Sequence, residues 1–437
     1  MILRPLFLLL LLLSPASAVD VQVSPQDRPA GAVILVVDGL GASYVYPEHS
    51  AYALDGAPLG KAVLFNLTGI GGRVVDARVP VPETTKSHSV LVTGYSGVDP
   101  QFLGPTIFDA ARRNGYLCLA VLQRGDAMPM LKKMDAVLYL GDNAMHGAEP
   151  TPGFRESAPI VLRPLFQEWQ NRFAEYCAPH GVAGYAGYDA WGLDAAADIV
   201  RHLTGRSFLM LVNVGAVDSA GQNLGAEGYL QTVAALDRPL GRLAEACREN
   251  NVLLVVTADH GMCFPSARGK GGHSADKYMG RLESLRVPLV FFGPGVEELN
   301  LAGKWSEVDI APTVLDMLNV SESENQSWEG ERIPLKQGFD LRVVGAPGGV
   351  AFYRGEKLLA NATGDGECNF RGLARGLYSL RAGERSWQVL MNGDRKLDLT
   401  EKAAPPLGGM KKTVGIILIL VINLIGAAVI VWIWRRE

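Results

Sequence analysis

The stretch NVLLVVTADHG, residues 251–261, is an apolar run that ends abruptly in Asp259 and His260. A continuous apolar run of this length is typical of a β-strand that is covered on both faces by helices. A simple turn after such a strand needs neither a carboxylate nor an imidazole. The pair therefore predicts a functional site at the end of a buried strand.

Similar apolar runs recur along the chain and alternate with amphipathic helical patterns. The runs are AVILVVDG (32–39), LCLAVL (117–122), SFLMLVNVG (207–215) and VPLVFFGPG (287–295), and the helical patterns cover residues 106–115, 229–250 and 309–320. Strands that alternate with helices favour an α/β domain with a doubly wound, mostly parallel sheet. We expect this domain to span residues 19–340.

The remainder of the chain differs in composition. Residues 341–400 are rich in glycine and in short alternating runs, which predicts a small β-sandwich. A Pro/Gly linker (401–413) follows, and then a segment (414–434) that is apolar except for Asn423 and long enough for a transmembrane helix.

The two chain ends predict where the protein resides. Residues 1–18 have the leucine run and the small-x-small end of a secretory signal peptide. Residues 435–437 would form a short cytoplasmic tail. We therefore expect a single-pass protein of the cell membrane with its body outside the cytoplasm. Sequons for N-glycosylation begin at Asn66, Asn319, Asn325 and Asn361, and they predict a glycoprotein if the chain is exported.

The charge and the cysteine pattern argue against nucleic-acid binding and against a zinc–thiolate site. The net charge is −4 and the interior has no basic stretch, which argues against nucleic-acid binding. The five cysteines are scattered without a CxxC motif, which argues against a zinc–thiolate site.

Acidic residues follow three of the strand-like runs. Asp38, Asp218 and Asp259 occupy these positions, His260 accompanies Asp259, and His273 lies in a glycine-rich loop. Functional groups of open α/β sheets gather at the carboxyl ends of strands. A single aspartate at the end of a strand is more often the N-cap of a helix. Together, carboxylates and imidazoles at one sheet edge point to a metal site, since a cation offsets their repulsion.

Several short motifs occur along the chain in an order that is typical of one enzyme family. The motifs are Asp38 after a strand, ETTKSHSVLVTG (83–94), VDSAGQ (217–222), ADHGM (258–262), GGHS (271–274) and VDIAPTVLDMLN (308–319). In this order they resemble the alkaline phosphatase superfamily, and most closely its type I phosphodiesterase/nucleotide pyrophosphatase and sulfatase-like branch. The resemblance covers roughly residues 32–320.

The resemblance implies a metal-dependent mechanism. Thr84, four residues before His88, would be a nucleophile that a metal ion activates, and a phospho-threonine intermediate would then be hydrolysed. One divalent ion, most often zinc in this family, would be held by Asp38, Thr84, Asp259 and His260. A second ion would be held by Asp218, His273 and residue 222. Lys86 and His88 are candidate binders of a substrate oxyanion.

Residue 222 departs from the family pattern. The family has D-x-x-G-H, whereas this chain has glutamine at the last position, Gln222. A neutral amide oxygen is a weaker ligand for zinc than an imidazole. The second site is therefore expected to bind zinc less tightly, to prefer Mn²⁺, Mg²⁺ or Ca²⁺, or to hold no ion.

The function that these observations favour is a membrane-anchored, extracytoplasmic, metal-dependent phosphoric ester hydrolase. Its substrate would be a phosphodiester, a pyrophosphate or a phosphomonoester. The alternatives are a phospho-substituent transferase, a single-metal sulfatase-like hydrolase and a catalytically degenerate surface protein. Thr84 argues against the usual sulfatase chemistry, because formylglycine arises from Cys or Ser.

Overall fold

A computed structural model describes most of the chain. The described residues are 19–20, 29–64, 67, 71–123, 128–141, 149–176, 180–296, 299–320, 328–335, 339–347, 350–362, 365–373 and 376–400. The expected signal peptide, linker, membrane span and tail lie outside them. Within the described residues, no helix has both the length and the apolar character needed to cross a bilayer.

The chain divides into two compact units. The larger is Asp27–Gln337, and the smaller combines Met1–Gln26 with Gly338–Glu437. The first strand of the chain, β1 (Val19–Asp20), belongs to the smaller unit.

The larger unit is built on one sheet, which has nine strands in the described part of the chain. They are β2 (Gly31–Val37), β3 (Gly72–Arg78), β4 (Leu117–Leu122), β5 (Ala136–Tyr139), β6 (Thr151–Phe154), β7 (Phe208–Val214), β8 (Val252–Thr257), β9 (Arg286–Phe292) and β10 (Leu299–Ser306). Their order across the sheet is β10-β3-β9-β8-β2-β7-β4-β5-β6. The five strands from β8 to β5 are mutually parallel, which confirms the expected mostly parallel sheet.

Two strands run against the others. β9 is antiparallel to both β8 and β3, and β6 is antiparallel to β5. The apolar run that contains β9 gave no sign of its direction. A strand covered on both faces needs the same apolar residues whichever way it runs, and six of the seven residues of β9 are buried.

Helices cover the sheet. In chain order they are α1 (Thr84–Thr93), α2 (Ile107–Arg113), α3 (Met128–Leu131), α4 (Leu162–Tyr176), α5 (Gly181–His202), α6 (Ala216–Ala235), α7 (Asp237–Glu249), α8 (Asp276–Met279), α9 (Leu282–Leu285) and α10 (Ile310–Met317). The pattern over 229–250 proves to be two helices, α6 and α7, which meet at Leu236. Helix α2 starts where expected, because Thr106 and Asp109 form a capping box.

The core of this unit is centred on β2, whose seven residues are all buried. β2 pairs in parallel with β7 on one side and with β8 on the other. The carboxyl ends of these three strands are therefore neighbours at one edge of the sheet. This edge is where the sequence places its acidic residues.

The smaller unit consists of short strands. They are β1 with β11 (Phe339–Pro347), β12 (Val350–Arg354), β13 (Lys357–Ala362), β14 (Asp365–Leu373), β15 (Gly376–Ala382), β16 (Arg385–Met391) and β17 (Arg395–Asp398). One sheet has the order β1-β16-β15-β12-β13 and the other β14-β11-β17. Side chains of both sheets, such as Phe352 and Phe370, share one apolar core. In β16, Trp387, Val389 and Met391 are buried and the residues between them are exposed, as the alternating pattern predicts.

The described cysteines form no disulfide. Cys118, Cys247 and Cys263 are buried free thiols, Cys368 is buried, and Cys177 lies outside the described residues.

Candidate metal centre and active site

Three acidic residues meet at the carboxyl end of the parallel strands. Asp38 follows β2, Asp259 and His260 follow β8, and Asp218 lies in the first turn of α6, immediately after β7. All four side chains are completely buried. Helix α6 starts two residues before Asp218, at Ala216.

Two glycines allow the segments to approach so closely. Gly39 has a φ of 80°, and a Cβ atom there would lie 2.8 Å from Cβ of Asp218. A Cβ atom at Gly261 would lie 2.0 Å from the carbonyl oxygen of Glu283. A side chain at either position would push a metal-ligand candidate away from its neighbours.

The His260 ring is oriented by its backbone. Its Nδ1 lies 3.0 Å from the carbonyl oxygen of Gly261, and a carbonyl can only accept, so Nδ1 donates. In the neutral ring the lone pair is then on Nε2, which lies 3.1 Å from Oγ1 of Thr84, 3.4 Å from Oδ1 of Asp38 and 3.5 Å from Oδ2 of Asp259. A lone pair that faces two carboxylates is stabilised by a cation between them, and this is how metal-binding histidines are oriented.

The Asp259 carboxylate has one oxygen anchored and one available. Its Oδ1 accepts hydrogen bonds from the N–H groups of Gly39 (3.1 Å) and His260 (2.9 Å). Among the described residues, nothing donates a hydrogen bond to the buried Oδ2. Burial raises the pKa of Asp259, but His260, His88 and the Gly39 N–H outweigh it and hold the pKa below its ordinary value. An ionised, buried oxygen without a donor fits a divalent cation.

The candidate metal ligands form two adjacent groups. The first group is Asp38, Asp259 and His260, and the second is Asp218, His260 and His273. Single ligand atoms of Asp218, His260 and His273 lie within 4.8 Å of one another, as do those of Asp38, Asp259 and His260. Nδ1 of His273 donates to the Pro82 carbonyl oxygen (2.7 Å), and its Nε2 lies 3.6 Å from Oδ1 of Asp218.

The imidazole rings of His260 and His273 are in direct contact. They stack with centroids 3.5 Å apart and an interplanar angle of 10°. Burial and the neighbouring His260 hold the pKa of His273 below its ordinary value, which favours the neutral, metal-binding form.

Gln222 contacts the second group as a hydrogen-bond donor. Its Nε2 lies 3.0 Å and 2.9 Å from the two carboxylate oxygens of Asp218. To offer its amide oxygen to a cation, the Gln222 side chain would have to turn over and give up both hydrogen bonds. Gln222 therefore competes with a cation for Asp218.

The structure places Thr84 against the first group. It is the first residue of α1, is partly exposed, and contacts Nε2 of His260 as described above. Lys86 is partly exposed on the same helical turn. His88 is only 3 % exposed, with Nε2 3.5 Å from Oδ2 of Asp259, so it is better placed to orient that carboxylate than to contact a substrate.

One buried pair at this site was not anticipated from the sequence. Ser87 contacts both the Asp259 backbone and the carboxyl group of Glu307. A glutamate just before the helical pattern at 309–320 reads as an ordinary first-turn acid. Nothing local in the sequence indicates that it reaches a serine 220 positions away.

Comparisons with known proteins agree with this geometry. A family model described as the Metalloenzyme superfamily matches residues 192–322, which include Asp218, Gln222, Asp259, His260 and His273. The solved structure of wild-type alkaline phosphatase PafA is similar in fold, with a TM-score of 0.51 and 13% identity, covering 71% of this chain and 99% of that chain.

Two curated relatives are similar in part. The 2,3-bisphosphoglycerate-independent phosphoglycerate mutase 1 of Methanosarcina acetivorans is 26% identical over 141 residues, which are 32% of this chain and 26% of the relative. The phosphopentomutase of Carboxydothermus hydrogenoformans is 31% identical over 134 residues, which are 30% of this chain and 31% of the relative. The chain thus spans about a quarter to a third of the length of these relatives.

The matched family model, the fold and the two carboxylate–histidine groups lead to the same assignment. Residues 192–322 match the Metalloenzyme superfamily, and the fold of the chain is similar to that of an alkaline phosphatase.

Proposed function

We propose that this protein is a metal-dependent phosphoric ester hydrolase with Thr84 as its nucleophile and a phospho-threonine intermediate. The observation that carries the proposal is the position of Thr84. Thr84 is a partly exposed residue at a helix N-terminus, and its Oγ1 lies 3.1 Å from Nε2 of His260, beside Asp38 and Asp259. A substrate can therefore reach the hydroxyl from one side while the donor groups hold it from the other.

The residues present fit two divalent ions of unequal affinity. Asp38, Thr84, Asp259 and His260 would hold the first, and Asp218 and His273 would hold the second, with Gln222 opposing it. Zinc suits the mixed oxygen and nitrogen donors of the first site, and Mn²⁺, Mg²⁺ or Ca²⁺ are the alternatives at the second. When bound, such ions supply Lewis-acid stabilisation of oxyanions and lower the pKa of hydroxyl groups.

Backbone groups of the protein would position the phosphate group of the substrate. The first-turn N–H groups of α1 have no partner within the helix, and with the helix dipole they favour a phosphate group next to Thr84. Attack by Oγ1 forms a P–O bond to Thr84 and breaks the bond to the leaving alcohol, which takes up a proton. Water then cleaves the phospho-threonine, releases phosphate and restores the hydroxyl.

A second candidate activity is phosphoryl transfer to another hydroxyl. The names of both curated relatives, a phosphoglycerate mutase and a phosphopentomutase, favour it. Turnover in the presence of glycerol separates the two activities. A hydrolase releases inorganic phosphate in proportion to the leaving alcohol, whereas a transferase forms phosphoglycerol at its expense.

The setting that we propose for the activity is extracytoplasmic and membrane-anchored. It is supported by the signal-peptide pattern at residues 1–18 and the apolar segment at 414–434. Two of the sequon asparagines, Asn319 and Asn361, lie among the described residues and are exposed, as glycosylation requires.

Replacing the proposed nucleophile tests this function. We expect Thr84→Ala to reduce hydrolysis of p-nitrophenyl phosphate and of its bis ester by at least a hundredfold, since no other hydroxyl occupies its place. Thr85→Ala is the matched control, because Thr85 is the next residue of α1 and equally part-exposed, and it should keep most of the activity. Activity of Thr84→Ala above a few per cent of wild type would remove Thr84 from the mechanism. Metal-free, inactive wild-type protein would instead favour a degenerate surface protein.

A further inference from the structure

A buried serine and a buried glutamate lie beneath the helix that carries Thr84. Ser87 is one turn after Thr84 in α1, and Glu307 starts the short helical turn Glu307–Asp309. Ser87 is fully buried and Glu307 is 2 % exposed. Neither residue is a candidate metal ligand or substrate contact.

Oγ of Ser87 has three close oxygen neighbours. It lies 2.6 Å from the carbonyl oxygen of Asp259 and 2.7 Å from each carboxyl oxygen of Glu307. These distances are typical of O–H···O hydrogen bonds, so one hydrogen must lie in the contact to Asp259 and another in the contact to Glu307.

The number of hydrogen atoms available to these contacts determines whether the Glu307 carboxyl group is protonated. Ser87 has one hydroxyl hydrogen, and the carbonyl oxygen of Asp259 can only accept. If Ser87 donates to Asp259, its contact with Glu307 is a hydrogen bond only when the carboxyl group carries a hydrogen. If Ser87 donates to an ionised Glu307 instead, two lone pairs face each other at 2.6 Å on the Asp259 side. Only a neutral Glu307 satisfies both contacts.

The surroundings of Glu307 agree with this count. Burial raises the pKa of Glu307 well above its ordinary value and outweighs the hydrogen bond with Ser87, which lowers it. Among the described residues, no cationic side chain lowers the pKa of Glu307. A buried carboxyl group without a cation takes up a proton.

We propose that Glu307 is a protonated positioning residue of the active site. Its hydroxyl donates to Ser87, and Ser87 donates to the Asp259 carbonyl. This chain of two hydrogen bonds links helix α1, the end of β8 and the turn at 307–309. It sets the separation between Thr84 on the helix and the Asp259–His260 pair on the strand. Its effect on turnover rests on the proposed function, whereas the protonation itself does not.

Infrared difference spectroscopy tests the protonation directly. The spectrum of metal-loaded, full-length wild type minus that of Glu307→Gln, at neutral pH, should contain the C=O stretch of a protonated carboxylic acid. The band should shift in D₂O and again when Ser87→Ala removes its acceptor. The presence of carboxylate bands alone would overturn the proposal. This readout does not depend on whether Thr84 is the nucleophile.

Kinetics on p-nitrophenyl phosphate test the positioning role. Glutamine keeps a hydrogen-bond donor toward Ser87, so Glu307→Gln should stay within threefold of wild-type kcat. Glu307→Ala and Ser87→Ala should each lower kcat at least tenfold with little change in KM, because the reacting hydroxyl is displaced and not the binding groups. Equal losses in Glu307→Gln and Glu307→Ala, or full kcat in Glu307→Ala, would refute the role. If the alanine variants fail to fold, the infrared difference between wild type and Glu307→Gln still decides the protonation.

Discussion

At the scale of single residues, hydrogen bonds to the backbone orient the side chains of the site. Each bond uses one polar atom of a side chain and leaves another atom of the same side chain available. Both His260 and His273 donate from Nδ1 to a carbonyl oxygen and leave Nε2 facing carboxylates. Asp259 likewise uses one oxygen for backbone N–H groups and leaves the other available. The donor atoms are therefore held in position before an ion binds, which is what tight metal binding requires.

Gln222 is the exception to this arrangement, and it gives a prediction. Gln222→His restores an imidazole at this position and removes the two hydrogen bonds that occupy Asp218. We expect the variant to bind a second zinc ion more tightly than wild type does, which metal titration by calorimetry and the metal content after dialysis will measure. Asn223→His is the matched control, because residue 223 is the next residue of α6 but is exposed. Two equally tight sites in the wild type would contradict the account of Gln222.

The sequence anticipated the candidate ligands but not their support. Asp38, Asp259 and His260 were recognisable because they follow apolar strand patterns, and the carboxyl ends of such strands meet at one edge of the sheet. Ser87 and Glu307 were not, because each looks ordinary in its own segment and the contact joins segments 220 positions apart. Likewise, the residue type at position 222 predicted a weak metal ligand. The distances in the structure show instead that Gln222 donates hydrogen bonds to Asp218.

At the scale of elements, the site depends on close contacts at the ends of β2 and β8. The apolar runs were sufficient to locate β2, β4, β7 and β8, because a strand covered on both faces is apolar throughout. Helix α5 was not predicted, because its sequence GVAGYAGYDAWGLDAAADIVRH is rich in glycine and alanine and has no clear polar face. The direction of β9 was not predictable either, since burial does not encode direction.

Gly261 gives a prediction at this scale. A methyl group there would collide with the Glu283 carbonyl oxygen, so the backbone after His260 would have to move. We expect Gly261→Ala to lower the free energy of unfolding by about 2 kcal/mol, as overpacking of a dense site does. It should also weaken zinc binding. Urea denaturation and metal titration measure the two effects.

Gly280 is the matched control for Gly261. It lies outside the site, has a negative φ of −92°, and a Cβ atom there would meet nothing within 4 Å. Gly280→Ala should therefore change the free energy of unfolding by no more than about 0.5 kcal/mol. Equal effects of the two substitutions would show that the close approach at Gly261 is not important.

At the scale of the whole molecule, buried titratable groups couple the free energy of unfolding to pH. Glu307 is the clearest case, because its pKa in the folded protein is raised well above the ordinary value of 4.5. Above pH 4.5 the unfolded chain releases this proton and the folded chain keeps it. The folded state then binds one more proton, so the contribution of Glu307 is fully present below pH 4.5 and declines as pH rises toward the folded pKa.

This coupling predicts a pH-dependent difference between two proteins. As pH rises from 5 to 7, the free energy of unfolding of wild type should fall relative to that of Glu307→Gln by up to about 1.4 kcal/mol per pH unit. Urea denaturation of both proteins at several pH values measures the difference. A difference that does not vary with pH would mean that Glu307 is ionised in the folded protein.

Detection of a phosphoryl group on Thr84 during turnover tests the proposed mechanism most directly. Metal-loaded wild type should be quenched in acid during turnover of p-nitrophenyl phosphate and the peptide that contains residues 83–94 analysed by tandem mass spectrometry. We expect one phosphoryl group on Thr84 and none on Thr85. Repeated absence of the modification while product accumulates, or its appearance on another residue, would contradict the account.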